Sequence, residues 1–376
     1  MKYKIFSVLF ILAILIIAGC NSSNSASING NAVKDISPIK IGVSAPLSGE
    51  AASFGENAMA AVTLAANEIN SKGGINGRRV EIIAEDDQCS SKGVAALQKL
   101  INVDNVDAVL GPLCSAAAGP ALPLAQNSDV PTIIIGSAPH LTAIGDYIFR
   151  VYPSDAFQGK VAAEFMYKTL GKKKVAIIYV QNDWGQGIKE VFEKRFKELG
   201  GQVTYVAAKG QDSKDYKTEI TKVKDSGAEA VYTPLYPGGG LAALKQIKEL
   251  DLGINVVGGD AFSGDEIPKS GYGEGVIYTQ AKTNMPDDFR NKLREIPGYS
   301  GLELNIGGPY YYDAAMTMFD AIQRAGSTDP IAIKNALRQT SRKGLATDLI
   351  EFDQQGDLKA AEFEFKVIKN GEVVSY

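Results

Sequence analysis

The sequence holds one histidine, His140, in 376 residues, and that closes most routes to side-chain catalysis. A zinc helix of the H-E-x-x-H kind needs two histidines on one face. A Ser-His-Asp triad would have to use His140, which follows a proline in a loop and has no G-x-S-x-G elbow to serve. No G-x-x-x-x-G-K-[ST] phosphate loop is present. Gly271, Gly273 and Gly275 alternate without the strand–turn–helix setting of a dinucleotide site, and read as a loop. Asp86 and Asp87 are adjacent carboxylates, for which capping or a structural role is a better reading than a metal pair. No cofactor is implied. What remains is recognition by charge. Ser115 follows a strand over 106–110 and is placed to cap a helix beginning at Ala116; its hydroxyl and the first helical N–H groups suit a carboxylate. Ser137 follows a strand over 132–135 and supplies the same chemistry from a neighbouring loop. Asp260 ends the strand containing Val256 and Val257, where an acid suits a cation. Simple capping is the alternative for each. Together the three favour a zwitterion.

The elements that must position these groups alternate strand and helix. A β-branched strand over 39–43 precedes a helix over 55–70, with Ala58, Ala61, Val62, Ala65 and Ile69 at helical spacing and Gly73-Gly74 ending it. Strand 80–84, helix 93–102, strand 106–110, helix 116–125 and strand 132–135 continue the cycle. A second series has helix 155–170, strand 174–180, helix 185–199, strand 203–207 and helix 216–225. It goes on with strand 230–233, helix 239–250 and strands 255–258 and 275–278. From 286 onward the chain is mainly helical, notably 310–325 and 330–340, and strands return at 348–352 and 363–368. Such alternation predicts βαβ units and parallel sheets: an α/β fold with two doubly wound lobes, since about 340 globular residues exceed the ~100–200 of one domain.

The first twenty residues combine Lys2 and Lys4 with an apolar run over 5–17 and end Ile17-Ala18-Gly19-Cys20. A bilayer crossing takes ~20 apolar residues, so the run reads as a signal peptide over 1–19. Its small-small-Cys ending resembles a bacterial lipobox, in which Cys20 is acylated and becomes the first mature residue. An ordinary signal peptide with an incidental cysteine, or an uncleaved anchor, are the alternatives. Residues 20–38 are rich in Ser, Asn, Gly and Ala and read as a flexible tether. An exported, oxidising setting favours a disulfide between the two remaining cysteines, Cys89 and Cys114; two buried free thiols are the alternative. The formal charge of −4 and the scattered basic residues argue against nucleic acid as a partner.

Several segments resemble the leucine/isoleucine/valine-binding protein family, the type I solute-binding components of amino-acid ABC transporters. They are Ile41-Gly42-Val43-Ser44-Ala45-Pro46-Leu47-Ser48-Gly49, the helix ending Glu68-Ile69-Asn70-Ser71-Lys72-Gly73-Gly74-Ile75-Asn76-Gly77, Asp86-Asp87-Gln88-Cys89, Gly111-Pro112-Leu113-Cys114-Ser115, and Asp353-Gln354-Gln355-Gly356-Asp357. The likeness runs over 39–369, and the order of the segments is what makes it specific. It implies a clamshell of two lobes, 39–155 with 283–355 and 156–282 with 356–376, joined by three crossovers with the ligand between them. It implies a disulfide from Cys89 to Cys114. It implies that Ser115, the N–H of Ala116, Ser137 and the backbone near Ile135 hold a ligand carboxylate, and that Asp260 holds its ammonium. Phe54, Trp184 and Tyr236, each read as lying in a loop before a glycine or proline, match three aromatics that wall the family's pocket. The family usually has phenols at the first two, so these departures bear on which side chain is accepted.

The expected protein is therefore a monomeric, lipid-anchored, exported subunit that hands an amino acid, branched-chain or related, to ABC permease subunits in the membrane. The rival readings are the same clamshell for an amide, urea or aromatic acid, a sensory ligand-binding subunit, and an exported α/β enzyme.

Overall fold

The structure, a computed structural model, describes residues 36–49 and 51–376. The signal peptide, Cys20 and all but the end of the tether lie outside the described residues. The first lobe opens with β1 (Ile39–Ala45), α1 (Ala52–Ser71), β2 (Val80–Asp86), α2 (Gly93–Asn102), β3 (Ala108–Leu110), α3 (Ser115–Asn127), β4 (Thr132–Ile134) and β5 (Ile148–Arg150). The chain then forms α4 (Asp155–Glu164), which runs on into a π-helical turn (Phe165–Thr169), β6 (Lys174–Val180), α5 (Asp183–Glu198), β7 (Gln202–Lys209), α6 (Lys217–Asp225), β8 (Ala230–Thr233), α7 (Pro237–Glu249), β9 (Asn255–Gly258) and β10 (Ile277–Ala281). It returns as α8 (Asp287–Glu295), α9 (Gly307–Ala325), α10 (Pro330–Arg338), β11 (Ser341–Arg342) and β12 (Ile350–Glu351), and ends in β13 (Phe363–Lys369) and β14 (Glu372–Ser375).

Two sheets result, ordered β2-β1-β3-β4-β5 and β14-β13-β10-β9-β8-β6-β7. The first is parallel throughout. Side chains alternate between its faces as the strand period of two demands. Ala108, Leu110, Ile133 and Phe149 pack under α1, α9 and α10, while Val109, Ile134 and Ile148 pack under α2 and α3. In the second sheet Ala176, Ile178 and Val231 face α6 and α7, and Val175, Ile177 and Tyr232 face α4 and α5. Helices on both faces make each lobe doubly wound, as the alternating pattern predicted.

The chain crosses between the sheets three times: after β5, after β10, and between β12 and β13. Arg150 ties the first crossing to the third. It is fully buried; its Nε donates to Asp357 Oδ1 at 2.8 Å, its Nη2 pairs with Asp357 Oδ2, and its Nη1 donates to the carbonyls of Gly136 and Ala138 at 3.1 and 2.8 Å. Its main-chain N–H donates to Gly356 O at 2.8 Å. The second and third crossings meet at Lys282 N–H donating to Glu362 O, 2.9 Å.

Four features differ from the sequence reading. The second sheet is mixed, because β13 runs antiparallel to β10 and β14 antiparallel to β13. The β13–β14 turn is Asn370-Gly371, with φ of +54° and +77°, the pair that a two-residue hairpin favours. β5, three residues long, has no counterpart among the strands read from the sequence. The strand over 348–352 shrinks to β12, paired only with β11 outside both sheets. Helix α1 begins at Ala52 and α5 at Asp183, so Phe54 and Trp184 lie in first helical turns and not in the preceding loops.

Cys89 and Cys114 are joined by a disulfide across 25 positions, linking the turn after β2 to the start of α3. Closing a loop of that length contributes roughly 3 kcal/mol in chain-entropy models. Urea denaturation of the Cys89→Ala/Cys114→Ala protein is expected to show a loss of that order.

Two buried carboxylates give stability a pH dependence. Asp87 accepts from Ser44 Oγ at 3.0 Å and from Cys89 N–H at 2.9 Å, and Asp313 accepts from the N–H groups of Leu345 and Ala346 at 2.6 and 2.8 Å. Burial nevertheless pushes both acids up to about 6. The folded state then binds protons more tightly than the unfolded chain, so their contribution to stability falls as pH rises from about 4 to about 6 and is level above that. The fall in thermal midpoint over that window is expected to be smaller in Asp87→Asn/Asp313→Asn than in the wild type.

Candidate functional site

The parallel strands of both sheets end at a cavity of about 350 Å³ between the lobes. The local sequence explains why side chains reach it. After β3 the chain turns at Gly111, φ +93°, where a Cβ would stand 2.0 Å from Ser44 O; only glycine fits so close to β1. The turn delivers Ser115 as the first residue of α3, with Cys114 as its N-cap. The sequence reading had Ser115 as the cap. Its hydroxyl instead accepts the Ala138 N–H at 3.0 Å, which holds the Ser137 loop against α3 and leaves the Ser115 hydroxyl proton free to be given elsewhere. Ser137 and Ile135 reach the cavity from the loop after β4. Ala116 is half-buried and does not line it.

From the second lobe come Trp184, Tyr236 and Asp260. Asn182 Oδ1 caps α5 by accepting the Gly185 N–H at 3.0 Å. Tyr236 is the N-cap residue of α7, and its ring stacks on Trp184 with centroids 5.0 Å apart. Asn182 Nδ2 donates to the Tyr236 hydroxyl at 3.4 Å. Phe54 faces them from α1. Asp260 opens the 3₁₀ turn after β9 and is 6% exposed.

Seven of the eight residues singled out for a ligand thus surround one cavity: Phe54, Ser115, Ile135, Ser137, Trp184, Tyr236 and Asp260. The sequence reading missed Tyr152. Its hydroxyl donates to Asp260 Oδ2 at 2.6 Å, reaching from the first crossover to the second lobe, and its ring meets Tyr310 edge-on at 4.7 Å. The run Tyr147-Ile148-Phe149-Arg150-Val151-Tyr152, rich in aromatic and β-branched residues, was the signal for a strand ending there. Gln88, Ser90, Gln211 and Asp212 add a polar rim. Gln211 Nε2 donates to Cys89 O at 3.4 Å across the lobes.

Burial pushes the Asp260 carboxyl up, against the opposing pull of the Tyr152 hydroxyl and the Gln158 amide. Asp155, at the start of α4, is fully buried behind Ser137 and is also raised, first by burial and then by the charge of Asp260. A cation in the cavity would favour ionised Asp260, so binding such a group is expected to strengthen as pH rises through the Asp260 titration. The wall formed by Ser115, Ser137 and the start of α3 offers hydroxyl and N–H donors to an anion. An aromatic wall lies beside both.

Two doubly wound lobes on three crossovers, closed over a cavity with an acid on one side and donors on the other, define a clamshell solute-binding protein. The chain belongs to the periplasmic binding protein family, whose sequence profile matches residues 38–367. An amino acid binding protein of Pseudomonas aeruginosa is 29% identical over 347 residues, covering 90% of this chain and 92% of that protein. A leucine-, isoleucine-, valine-, threonine-, and alanine-binding protein of the same organism is 30% identical over 334 residues, covering 86% and 88%. Among solved structures, a leucine binding protein LivK from Thermotoga maritima superposes with a TM-score of 0.82 at 26% identity, covering 90% of this chain and 97% of that one. A solute-binding protein from R. palustris in complex with 4-hydroxybenzoate, at 21% identity and a TM-score of 0.79 over 90% and 95% of the two chains, shares the fold.

Proposed function

We propose that this protein is the substrate-binding subunit of an ABC importer and that it takes a free amino acid, branched-chain or a close relative, into the inter-lobe cavity. The observation that carries the reading is the placement of Asp260 on one lobe opposite Ser115 and Ser137 on the other, around a cavity of about 350 Å³. Asp260 pairs with the α-ammonium. Ser115, Ser137 and the backbone near Ile135 hold the α-carboxylate, and Phe54, Trp184 and Tyr236 surround the side chain. A zwitterion that touches both lobes, 39–155 with 283–355 and 156–282 with 356–376, stabilises the closed form by its differential affinity for it. The closed monomer then docks on the permease. The relatives of Pseudomonas aeruginosa and Thermotoga maritima, with amino acids in their names, support this choice. Residues 1–20 support export with acylation at Cys20; mass spectrometry of the mature protein that finds Cys20 unmodified would refute the anchor.

One observation favours a second ligand class. The stacked Trp184–Tyr236 pair and the Tyr152 hydroxyl already seated on Asp260 suit an aromatic acid, which brings no ammonium. Thermal shift against a panel of amino acids, amino-acid amides and benzoates separates the two, because a ligand of the native state raises the midpoint by mass action. Free aliphatic amino acids are expected to give the largest shifts. Shifts from benzoates alone would overturn the amino-acid assignment.

A further inference from the structure

Asp155 opens α4 directly behind the part of the cavity wall made by Ser137 and Trp184. It is fully buried, and neither carboxylate oxygen accepts a hydrogen bond. Its main-chain N–H donates to Ser137 O at 2.8 Å, which sets the two residues side by side. The Ser137 hydroxyl and the Trp184 indole are its polar neighbours, and neither completes a hydrogen bond to it in this conformation. The ionisable groups facing it are Asp260 from the turn after β9, Tyr232 from β8, Tyr152 from the first crossover, Tyr236 from the start of α7 and Arg150 from β5. Of these only Arg150 is a cation, and it is engaged by Asp357 and by the carbonyls of Gly136 and Ala138. An ionised carboxylate without a partner in such a place is far less stable than its protonated form, and a second carboxylate nearby adds to the effect.

We infer that Asp155 stands behind the cleft as a neutral acid and, once the two side chains turn to close the contact that is open in this conformation, gives its O–H to the Ser137 hydroxyl oxygen, which turns the Ser137 proton into the cavity. An ionised Asp155 would do the reverse. It would accept the Ser137 proton and leave an incoming anion facing lone pairs. The neutral acid therefore makes Ser137 a donor without placing a second negative charge beside Asp260. Asp155 is a positioning residue, since it acts through Ser137 and does not line the cavity. That Ser137 meets a ligand carboxylate rests on the proposed function; the protonation of Asp155 does not, and its test needs no ligand.

The test is infrared difference spectroscopy on the dialysed protein at about pH 8, where Asp87 and Asp313, pushed up to about 6, are ionised. The wild type is expected to show the carbonyl band of a protonated carboxylic acid that is lost in Asp155→Asn and kept in Asp260→Asn. In Ser137→Ala the band is expected to move to higher frequency as the acid loses its acceptor. Between about pH 5 and 8 the thermal midpoint of the wild type is expected to fall more steeply than that of Asp155→Asn, because the wild type carries one more proton that unfolding releases, beyond those of Asp87 and Asp313 that both proteins share. A band that survives in Asp155→Asn, or is absent from the wild type, overturns the neutral acid. A band unmoved in Ser137→Ala overturns the positioning of Ser137. Should Asp155→Asn fail to fold, the Ser137→Ala spectrum decides alone: a shifted acid band supports the inference, and an unshifted or missing one overturns it.

Discussion

Asp260→Ala is expected to weaken binding of a free amino acid by roughly 2–5 kcal/mol, a factor of about thirty to several thousand. The loss is large because the ammonium would enter a closed cavity with no anion to meet it, and because the Tyr152 hydroxyl would lose the acceptor it holds at 2.6 Å. Asp260→Asn separates the two causes. An amide oxygen still accepts from Tyr152, so whatever affinity Asn fails to restore belongs to the charge. Burial raises the Asp260 carboxyl; wild-type affinity should therefore climb with pH through that titration, and Asp260→Asn should lose the climb. Isothermal calorimetry across pH reads both effects.

Arg150→Ala is the substitution expected to cost most stability, about 3 kcal/mol or more. It leaves the Asp357 carboxylate without its cation, holding the Leu358 N–H at 3.1 Å, and takes a donor from the carbonyls of Gly136 and Ala138. Asp357 keeps 17% exposure, which places the cost toward the lower end of the range for buried pairs. If stranded charge is the main cause, Arg150→Met/Asp357→Leu should recover much of what Arg150→Ala loses. Urea denaturation of the three proteins gives the comparison. Because the pair joins the first and third crossovers, Arg150→Ala should also loosen the hinge and weaken ligand binding beyond its effect on folding.

The residues proposed for recognition were readable where a strong local rule fixed their place at the cavity. Ser115, Ser137 and Asp260 each follow a β-branched strand, and in open α/β sheets ligand groups gather at the carboxyl ends of strands. Phe54, Trp184 and Tyr236 were found by resemblance, with their local setting off by a few residues at Phe54 and Trp184. Asn182 caps α5 just before Asp183, a start signal that places Trp184 inside the helix. Tyr152 escaped because β5 contributes three residues to its sheet and is held in place by Arg150 and the third crossover, a long-range arrangement with no local periodicity. Asp155 looked like any helix start. Its character comes from burial beside Asp260, over a hundred positions along the chain. The β13–β14 hairpin was legible at Asn370-Gly371 and was missed because the tail was read as isolated strands.

The cavity is proposed to recognise a zwitterion through both of its charges. Calorimetry with leucine, N-acetyl-leucine and leucinamide on the wild-type protein tests it most directly. Blocking the amine removes the partner of Asp260, and amidation removes the anion facing Ser115 and Ser137. The free amino acid is expected to bind at least about thirtyfold more tightly than either blocked form, the factor that 2 kcal/mol represents. Equal binding of the three, or binding of the blocked forms alone, would contradict the account.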